Sequence, residues 1–321
     1  MQNFSRQHIQ AHFNHAAPSY DDAAILQKTV AQRIDERLQL TTIEPKTILD
    51  LGAGTGLLTE KIIQRYPNAE IFAVDLSANM LGRALPRLQA PRWPNLPNAL
   101  NRFLQNCKIA RRLASKTRAK AINADVYQLP FADNSVDLIV SNLMLQWCDD
   151  LDTVFQEFRR VLRQDGLIMF TTFGPDTLKE LRQAWQNVDA DYEHVNHFID
   201  MHDIGDALIR SGFGQPVMDM EMFTLTYDKP IGVLKDLKAI GATNANQQRH
   251  KGLMGKQRFT KMLNAYEQFR SPIDNKVPAS YEVVHGHAWA AQEIIKGPNR
   301  DKSGHVEISL DEFAKQLKKG M

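Results

Sequence analysis

The sequence is poor in cysteine and has none of the long apolar runs of exported or membrane-spanning chains. Its two cysteines, Cys107 and Cys148, lie far apart and lack metal-ligand spacing. We therefore expect no disulfide framework and no metal site, and a reducing compartment fits. The N-terminus lacks a signal peptide's apolar core, and no segment approaches the roughly 18 apolar residues of a membrane span. These absences predict a soluble, cytoplasmic protein without a membrane partner.

A strong net charge is also missing from the chain as a whole. The 321 residues include 39 basic and 37 acidic side chains, for a formal charge of +2. An excess this small identifies no partner. The contents of 43% hydrophobic and 24% charged residues are ordinary for a globular protein. The length suits one large domain, or a core domain with an appended cap.

Acidic residues are absent from one long segment. Between Leu76 and Ala124 there is no Asp or Glu, but there are ten Lys and Arg residues. We expect an insertion at about 83–120, and its positive field would attract an acidic partner. RNA is one alternative, and a solvated basic loop is another. The candidate docking residues are Arg83, Arg87, Arg102, Lys108, Arg111, Arg112, Lys116 and Arg118.

Short apolar segments alternate with amphipathic ones over the middle of the chain. Strands are expected at 47–51, 70–75, 120–124, 136–141 and 167–173, with helices at 56–65 and 151–162. Apolar strands separated by helices predict an α/β fold with a parallel sheet covered on both faces. Segments 216–227 and 278–284 would add an antiparallel edge pair. We expect a helical lid at 1–44, a core at 45–173, a cap with C-terminal strands at 174–291 and a polar tail at 292–321.

A glycine loop follows the first expected strand. Gly52, Gly54 and Gly56 have the spacing G-x-G-x-G, and glycine permits a tight turn close to a ligand. Position 57 is Leu, where the dinucleotide-binding motif has its third glycine. S-adenosylmethionine has no phosphate, so a short loop beneath its methionyl part suits it better than a phosphate-binding helix N-terminus. A tight turn without a ligand is the alternative.

Polar residues end the next three expected strands. A carboxylate at Asp75 could accept hydrogen bonds from ribose hydroxyls, and Asp125 with Val126 could hold an adenine ring. Asn142 could help to hold a methionyl group. Each residue alone has a structural explanation, such as a helix cap or a turn. Together, at the strand ends where open α/β sheets bind ligands, they predict a site for S-adenosylmethionine.

These motifs resemble those of the class I methyltransferases, over about residues 45–173. The similar segments are DLGAGTG (50–56), VDLSANML (74–81), ADVYQLPFADNSVDLIVSNL (124–143) and RRVLRQDGLIMFTTF (159–173). The resemblance implies a Rossmann-like sheet and S-adenosylmethionine as the cofactor. The cofactor-binding residues that it implies are Asp50, Gly52, Gly54, Gly56, Asp75, Leu76, Asp125, Val126 and Asn142.

A second resemblance extends to about residue 290. Segments 4–27, 173–185, 194–221, 234–244 and 278–289 look like those of the malonyl-acyl-carrier-protein O-methyltransferases of biotin synthesis. It implies methylation of a malonyl thioester's free carboxylate, with an acidic acyl carrier protein as partner rather than a nucleic acid. Methylation of another small molecule, such as a quinone or a dicarboxylate, is an alternative. A third is protein arginine hydroxylation, as described for a similar assembly factor of respiratory complex I.

A carboxylate acceptor requires little acid–base chemistry. Its pKa near 4 leaves it ionised at neutral pH, so the site needs alignment and the exclusion of water. Tyr20 and Gln27 are candidates for positioning it beneath the lid, although both could lie on a solvated helix face. His194 and His197 could equally be structural. The candidate substrate-binding residues are Arg6, Trp147, Arg182, His194, His197 and Phe198.

Overall fold

A computed structural model describes residues 5–89, 119–189, 192–244 and 255–290 of the chain. Its strands are β1 (Thr47–Leu51), β2 (Glu70–Asp75), β3 (Lys120–Asn123), β4 (Val136–Asn142), β5 (Leu162–Phe173), β6 (Phe213–Tyr227) and β7 (Val277–Ala290). Its α-helices are α1 (Arg6–Ala16), α2 (Tyr20–Ala23), α3 (Ile25–Leu38), α4 (Leu57–Arg65), α5 (Ala78–Leu88), α6 (Leu151–Val161), α7 (Lys179–Gln186), α8 (Met201–Arg210), α9 (Pro230–Ala239) and α10 (Lys256–Tyr266). None of these helices is both long and apolar enough to cross a membrane.

The strands form one sheet in the order β3-β2-β1-β4-β5-β7-β6. Strands β1 to β5 pair in parallel, whereas β7 is antiparallel to both β5 and β6. The predicted α/β fold, mostly parallel with an antiparallel edge pair, is therefore confirmed. The strand order reverses between β1 and β4, and ligands bind at such a reversal in open α/β sheets.

Helices cover both faces of the sheet, as its apolar strands require. On one face, Ile34 of α3 and Ile62 of α4 are fully buried in the same cluster. On the other, Phe155 and Phe158 of α6 are fully buried, with ring centroids 6.2 Å apart. This packing on both faces fixes the strand ends, and with them the polar residues that follow the strands.

The N-terminal helices have two different roles. Val30 and Ile34 of α3 are fully buried, so this helix belongs to the core. Arg33 of α3 also forms an ion pair with Glu221 of β6 at 3.0 Å. Of the segment expected as a lid at 1–44, only α1 and α2 lie over the carboxyl ends of the strands. The role of these two helices as a lid stays a prediction.

The basic connection begins later than expected and ends where expected. Helix α5 extends to Leu88 with Pro86 inside it, and β3 begins at Lys120. The predicted start at residue 83 is thus wrong, because residues 83–88 belong to the regular crossover helix. Residues 90–118 lie outside the described part of the chain, as does the tail at 292–321. The docking candidates in that segment are Arg102, Lys108, Arg111, Arg112, Lys116 and Arg118.

Candidate active site

The glycine loop connects β1 to α4 through three left-handed residues. Gly52, Gly54 and Gly56 have φ values of 72°, 55° and 81°, which other residues rarely adopt. A Cβ on Gly52 would lie 2.4 Å from Met144 Cγ, whereas one on Gly54 would meet nothing within 4 Å. Gly54 therefore faces open space above the strand ends. A Cβ on Gly56 would lie 3.2 Å from the Cβ of Ala84, so Gly56 allows α4 and α5 to pack closely.

Asp75 ends β2 beside this loop. Its Oδ2 accepts a hydrogen bond from Gly54 N at 2.7 Å, and its Oδ1 accepts one from Ser77 N at 2.7 Å. Burial raises the pKa of Asp75, although both hydrogen bonds favour the ionised form. The two bonds fix the carboxylate against the loop.

Asp125 is held by the N-terminal helix. Its Oδ2 accepts a hydrogen bond from Arg6 Nη1 at 2.9 Å, and its Oδ1 accepts one from Tyr127 N at 3.0 Å. The Arg6 guanidinium lies 3.9 Å from the centre of the Tyr127 ring. The structure thus places Arg6 beside the expected cofactor site, in the lining of the first of two cavities described below rather than the second, where it was expected as an acceptor-binding residue.

Asn142 ends β4 and connects three elements. Its Nδ2 donates to the backbone oxygen of Gln27 at 3.0 Å, and its Oδ1 accepts from Thr171 Oγ1 at 3.0 Å. The next residue, Leu143, has a φ of 52°, a conformation that a leucine adopts only when its surroundings enforce it. Leu143 N donates to Thr171 O at 3.1 Å and to Thr171 Oγ1 at 3.0 Å, and these bonds hold it there.

These strand ends surround a cleft of about 760 Å³, which we call the first cavity. Seven of the nine predicted cofactor residues line it: Gly52, Gly54, Asp75, Leu76, Asp125, Val126 and Asn142. Asp50 and Gly56 are not among its lining residues. Asp50 is buried beneath the loop, where its Oδ2 accepts from Thr59 Oγ1 at 2.5 Å. Burial also raises the pKa of Asp50 to about 7, and the fully buried side chain has no surface facing the cleft.

A second cavity, of about 720 Å³, lies next to the first. Its walls are mainly apolar, with Leu178, Leu181, Val195, Phe198, Leu237 and Tyr281 among them. Predicted residues Tyr20, Gln27, Trp147, His194 and Phe198 all line it. The two cavities share Phe13, Tyr20, Leu143 and Trp147. We call these four residues the shared wall.

Two residues predicted at the acceptor lie outside the lining of this cavity. His197 is exposed and pairs with Glu193 at 3.0 Å, so the structure does not bring it to the acceptor cavity. Arg182 lies behind the residues that line the second cavity. Its guanidinium donates there to the backbone oxygens of Pro175 at 2.9 Å and Thr177 at 3.2 Å. Burial lowers the pKa of Arg182. A positive charge therefore lies close to the second cavity without entering it.

His194 does line the cavity, but it is held on two sides. Its ring stacks on Trp185 with centroids 3.8 Å apart, and its Nε2 lies 2.9 Å from Asp189 Oδ2. Asp189 also accepts a hydrogen bond from Arg258 at 3.0 Å. These contacts support the structural interpretation of His194.

Asn196 was missed by the sequence analysis. It lines the second cavity with 8% of its surface exposed, and its Oδ1 has no hydrogen-bond partner among the described residues. Its backbone oxygen accepts from Arg182 at 3.4 Å. The available sequence signal was a polar residue between apolar Val195 and Phe198, which pointed to a buried amide.

Arg87 is not a free docking charge. Its Nη2 lies 2.7 Å from Asp21 Oδ2, and its Nη1 donates to Thr55 O at 2.7 Å. An acidic side chain of the same chain therefore already pairs with it, which weakens its predicted role in binding a partner. Arg83, four residues earlier on α5, is exposed.

The strand order, the glycine loop and the strand-end carboxylates define a class I methyltransferase fold. Residues 49–170 match the family described as a methyltransferase domain. The YcgJ protein of Bacillus subtilis has a similar fold, with a TM-score of 0.50 and 13% identity, covering 81% of this chain and 98% of that one.

Two curated relatives are similar over nearly their whole length. The malonyl-[acyl-carrier protein] O-methyltransferase of Nitrosospira multiformis is 47% identical over 286 residues, which cover 88% of this chain and 89% of the relative. The protein of the same name from Gallionella capsiferriformans is 44% identical over 298 residues, covering 93% and 94%. The chain belongs to the malonyl-[acyl-carrier protein] O-methyltransferase family.

Proposed function

We propose that this protein transfers a methyl group from S-adenosylmethionine to the free carboxylate of a malonyl thioester on acyl carrier protein. The product would be a malonyl methyl ester for biotin (pimeloyl) synthesis in the cytoplasm. The observation that carries this proposal is the shared wall, because donor and acceptor must meet for a direct transfer. The names of the two curated relatives support this choice of acceptor.

The first cavity fits S-adenosylmethionine. The open space beside Gly54 leaves room for a ligand close to the backbone of the loop. Asp75 and Asp125 each accept two hydrogen bonds from the protein, and a carboxylate has further lone pairs for ribose hydroxyls or an adenine amino group. Leu76 and Val126 supply apolar surface for the adenine ring. When bound, the cofactor supplies a methyl group attached to a positively charged sulfur.

The second cavity fits an acceptor with an acidic end. Its buried amides, Gln27 and Asn196, are each 8% exposed. No carboxylate forms an ion pair with Arg182 among the described residues, although the charge of Asp176 acts on it from a greater distance. We rank Arg182 and Asn196 above the two histidines as the groups that recognise the malonyl carboxylate, because a buried cation favours an anionic ligand.

The protein's own contribution is alignment and desolvation. The acceptor carboxylate is ionised at neutral pH and needs no general base. Phe13, Leu143 and Trp147 of the shared wall exclude water from the point of transfer. Burial, together with the nearby charges of Asp75 and Asp21, raises the pKa of Tyr20, so its hydroxyl is neutral and can donate a hydrogen bond.

The test is incubation of the protein and S-adenosylmethionine with malonyl carrier, acetyl carrier, free malonate, a quinone or transfer RNA. We expect one added methyl group on the malonyl carrier by mass spectrometry, removed by alkali, and none on the acetyl carrier. Equal methylation of the acetyl carrier would contradict a carboxylate acceptor. Methylation of the quinone or of transfer RNA, with none on the malonyl carrier, would replace the proposal with another activity.

The carboxylate site has its own test. Arg182→Lys keeps the charge but loses the planar array of donors, and Asn196→Asp places a negative charge in the cavity. Both should raise the KM for malonyl carrier, and Asn196→Asp should do so more strongly. Gln183→Ala is the matched control, since Gln183 is exposed on the same helix. Unchanged KM values in both site variants would remove Arg182 and Asn196 from the acceptor site.

A further inference from the structure

Asp21 connects the lid to the glycine loop. It follows Tyr20 in α2, and its Oδ1 accepts a hydrogen bond from Thr55 Oγ1 at 2.6 Å. Thr55 lies between the last two glycines of the loop and is 1% exposed. Tyr20 belongs to the shared wall. Its neighbour Asp21 is therefore a direct connection between this wall and the glycine loop of the first cavity.

Arg87 closes this arrangement into a ring. Its Nη2 donates to Asp21 Oδ2 at 2.7 Å, and its Nη1 donates to the backbone oxygen of Thr55 at 2.7 Å. Its Nε lies 3.7 Å from Glu60 of α4. The side chains of Asp21, Thr55 and Arg87, which we call the clasp, thus join α2, the loop and α5 through three mutual hydrogen bonds.

Tyr20 is also held from its other side. Ser19, the residue before it, donates from Oγ to the backbone oxygen of Ala239 in α9 at 2.9 Å. Tyr20 therefore lies between one anchor on the cap and another on the glycine loop. None of Asp21, Thr55 and Arg87 is among the lining residues of either cavity.

We infer that Asp21 and Arg87 are positioning residues, which act through Thr55 to fix Tyr20 in the shared wall between the donor and acceptor cavities. The inference rests on the proposed methyl transfer. A clasp of this kind affects the alignment of the two reactants rather than the binding of either one. Loss of alignment lowers kcat, and a displacement of about 1 Å can cost on the order of 10²-fold in rate.

The clasp makes a different prediction for Arg87 than a docking role does. A docking residue raises the KM for the carrier in a salt-dependent manner and spares a small acceptor. A positioning residue lowers kcat for the carrier and for a small malonyl thioester alike. The Arg87 side chain is 27% exposed and its charge is balanced by Asp21, which favours the second behaviour.

The experiment compares Arg87→Ala, Arg87→Lys and Asp21→Asn with the wild type, using malonyl carrier and malonyl-CoA at low and high salt. We expect kcat to fall about 10- to 100-fold for both acceptors in Arg87→Ala and in Asp21→Asn, because a displacement of about 1 Å costs on the order of 10²-fold in rate. KM for the carrier should change less than about twofold, and Arg87→Lys should recover part of the loss. The double variant Asp21→Asn/Arg87→Ala should have a kcat no lower than that of the slower single variant, because either change alone already disrupts the clasp.

Arg65→Ala is the matched control. Arg65 forms a similar ion pair with Asp35 at 2.7 Å, which joins α4 to α3 away from both cavities. This variant should retain the wild-type kcat. Hydrogen exchange should show faster exchange in α2 for the clasp variants and not for Arg65→Ala.

Several results would overturn the clasp. A salt-dependent rise in the carrier KM alone, in Arg87→Ala as in Arg83→Ala, would assign Arg87 to docking. Wild-type kcat in Asp21→Asn would remove its positioning role, and this near-isosteric variant guards against misfolding of Arg87→Ala. If the wild type forms no malonyl ester, the proposed function fails by itself. Hydrogen exchange in α2 would still test the clasp in that case, and unchanged exchange would contradict it.

Discussion

The carboxylate of Asp75 accepts a hydrogen bond from the backbone N–H of Gly54 at 2.7 Å, which ties the end of β2 to the glycine loop. Ser77, which donates to the other carboxylate oxygen, extends this connection to α1 through a bond of 2.7 Å between its Oγ and Asn14 Oδ1. One side chain thus organises the floor of the first cavity, and the same carboxylate is proposed to hold the ribose.

We expect Asp75→Ala to abolish S-adenosylmethionine binding. Each hydrogen bond from a ligand hydroxyl to this carboxylate would contribute about 1.5–3 kcal/mol, and the loop also loses its anchor. Isothermal titration calorimetry measures the effect. Asp152→Ala is the control, because Asp152 pairs with Arg210 on an exposed surface and should leave the affinity unchanged. Wild-type affinity in Asp75→Ala would refute the assignment.

Gly54→Val should also prevent cofactor binding, for a different reason. Its φ of 55° disfavours any β-branched residue, and the new side chain would extend into the open space above the loop. Gly82→Ala is a matched control, since a Cβ on Gly82 also meets nothing within 4 Å but lies within α5. That variant should bind normally and gain up to about 1 kcal/mol in stability. Normal binding by a folded Gly54→Val protein would argue against a ligand beside the loop.

The sequence predicted the strand bounds well where a strand is a short run of buried apolar residues. The bounds Thr47–Leu51 and Glu70–Asp75 were predicted without error, because each strand is a short apolar run before a polar or glycine-rich turn. Strand β5 begins at Leu162, five residues before its predicted start. Of the extra residues, buried Leu162 pairs with Val136 of β4. The four that follow lie at an irregularity in the register and include Asp165 with a φ of 59°.

The site was predictable to the extent that it follows strand ends. Residues such as Asp75 and Asn142 come together because parallel strands end at the same edge. The partners of Arg6 and Arg87 were not predictable, since Arg6 meets Asp125 across 119 residues and Arg87 meets Asp21 across 66. A basic residue looks the same in sequence whether it binds a partner or a carboxylate of its own chain.

One prediction about carrier docking concerns the basic connection that contains Arg111 and Arg112, and it is based on the sequence alone. Changing Arg111 and Arg112 to Glu should strongly raise the KM for malonyl carrier, because several charges together steer an acidic partner. Affinity for S-adenosylmethionine and activity on malonyl-CoA should stay near wild type, and the defect should shrink at high salt. Equal loss with both acceptors would indicate misfolding or an active-site role, and no loss with either would leave a solvated loop.

Asp50 should make the protein less stable as the pH rises. Burial raises its pKa in the folded state to about 7, whereas the unfolded chain releases this proton near pH 4. Between these values the folded state binds the extra proton, so the free energy of unfolding should fall by up to about 4 kcal/mol and level off above pH 7. Asp50→Asn, which still can accept from Thr59, should remove this fall. Urea titrations from pH 4.5 to 8 measure the free energy of unfolding at each pH. The same dependence of this free energy on pH in the wild type and in Asp50→Asn would contradict the prediction.

His285 should make the protein less stable as the pH falls, which is opposite to the effect of Asp50. It is 3% exposed on β7, both of its ring nitrogens lack hydrogen-bond partners among the described residues, and burial together with the charge of Arg37 lowers its pKa to about 4. The unfolded chain takes up this proton near pH 6.5, so the free energy of unfolding should decrease by up to about 3 kcal/mol as the pH falls from 6.5 to 4.

The contributions of His285 and Asp50 should nearly cancel in the wild type between pH 4.5 and 6.5. Urea titrations of His285→Leu should therefore show stability falling with rising pH, whereas those of Asp50→Asn should show it rising. The double variant should be the flattest of the mutants, apart from the contributions of Asp75, whose pKa burial raises, and of His287, whose pKa burial lowers. A His285→Leu profile parallel to that of the wild type would mean that His285 is protonated as readily in the folded protein as in the unfolded chain.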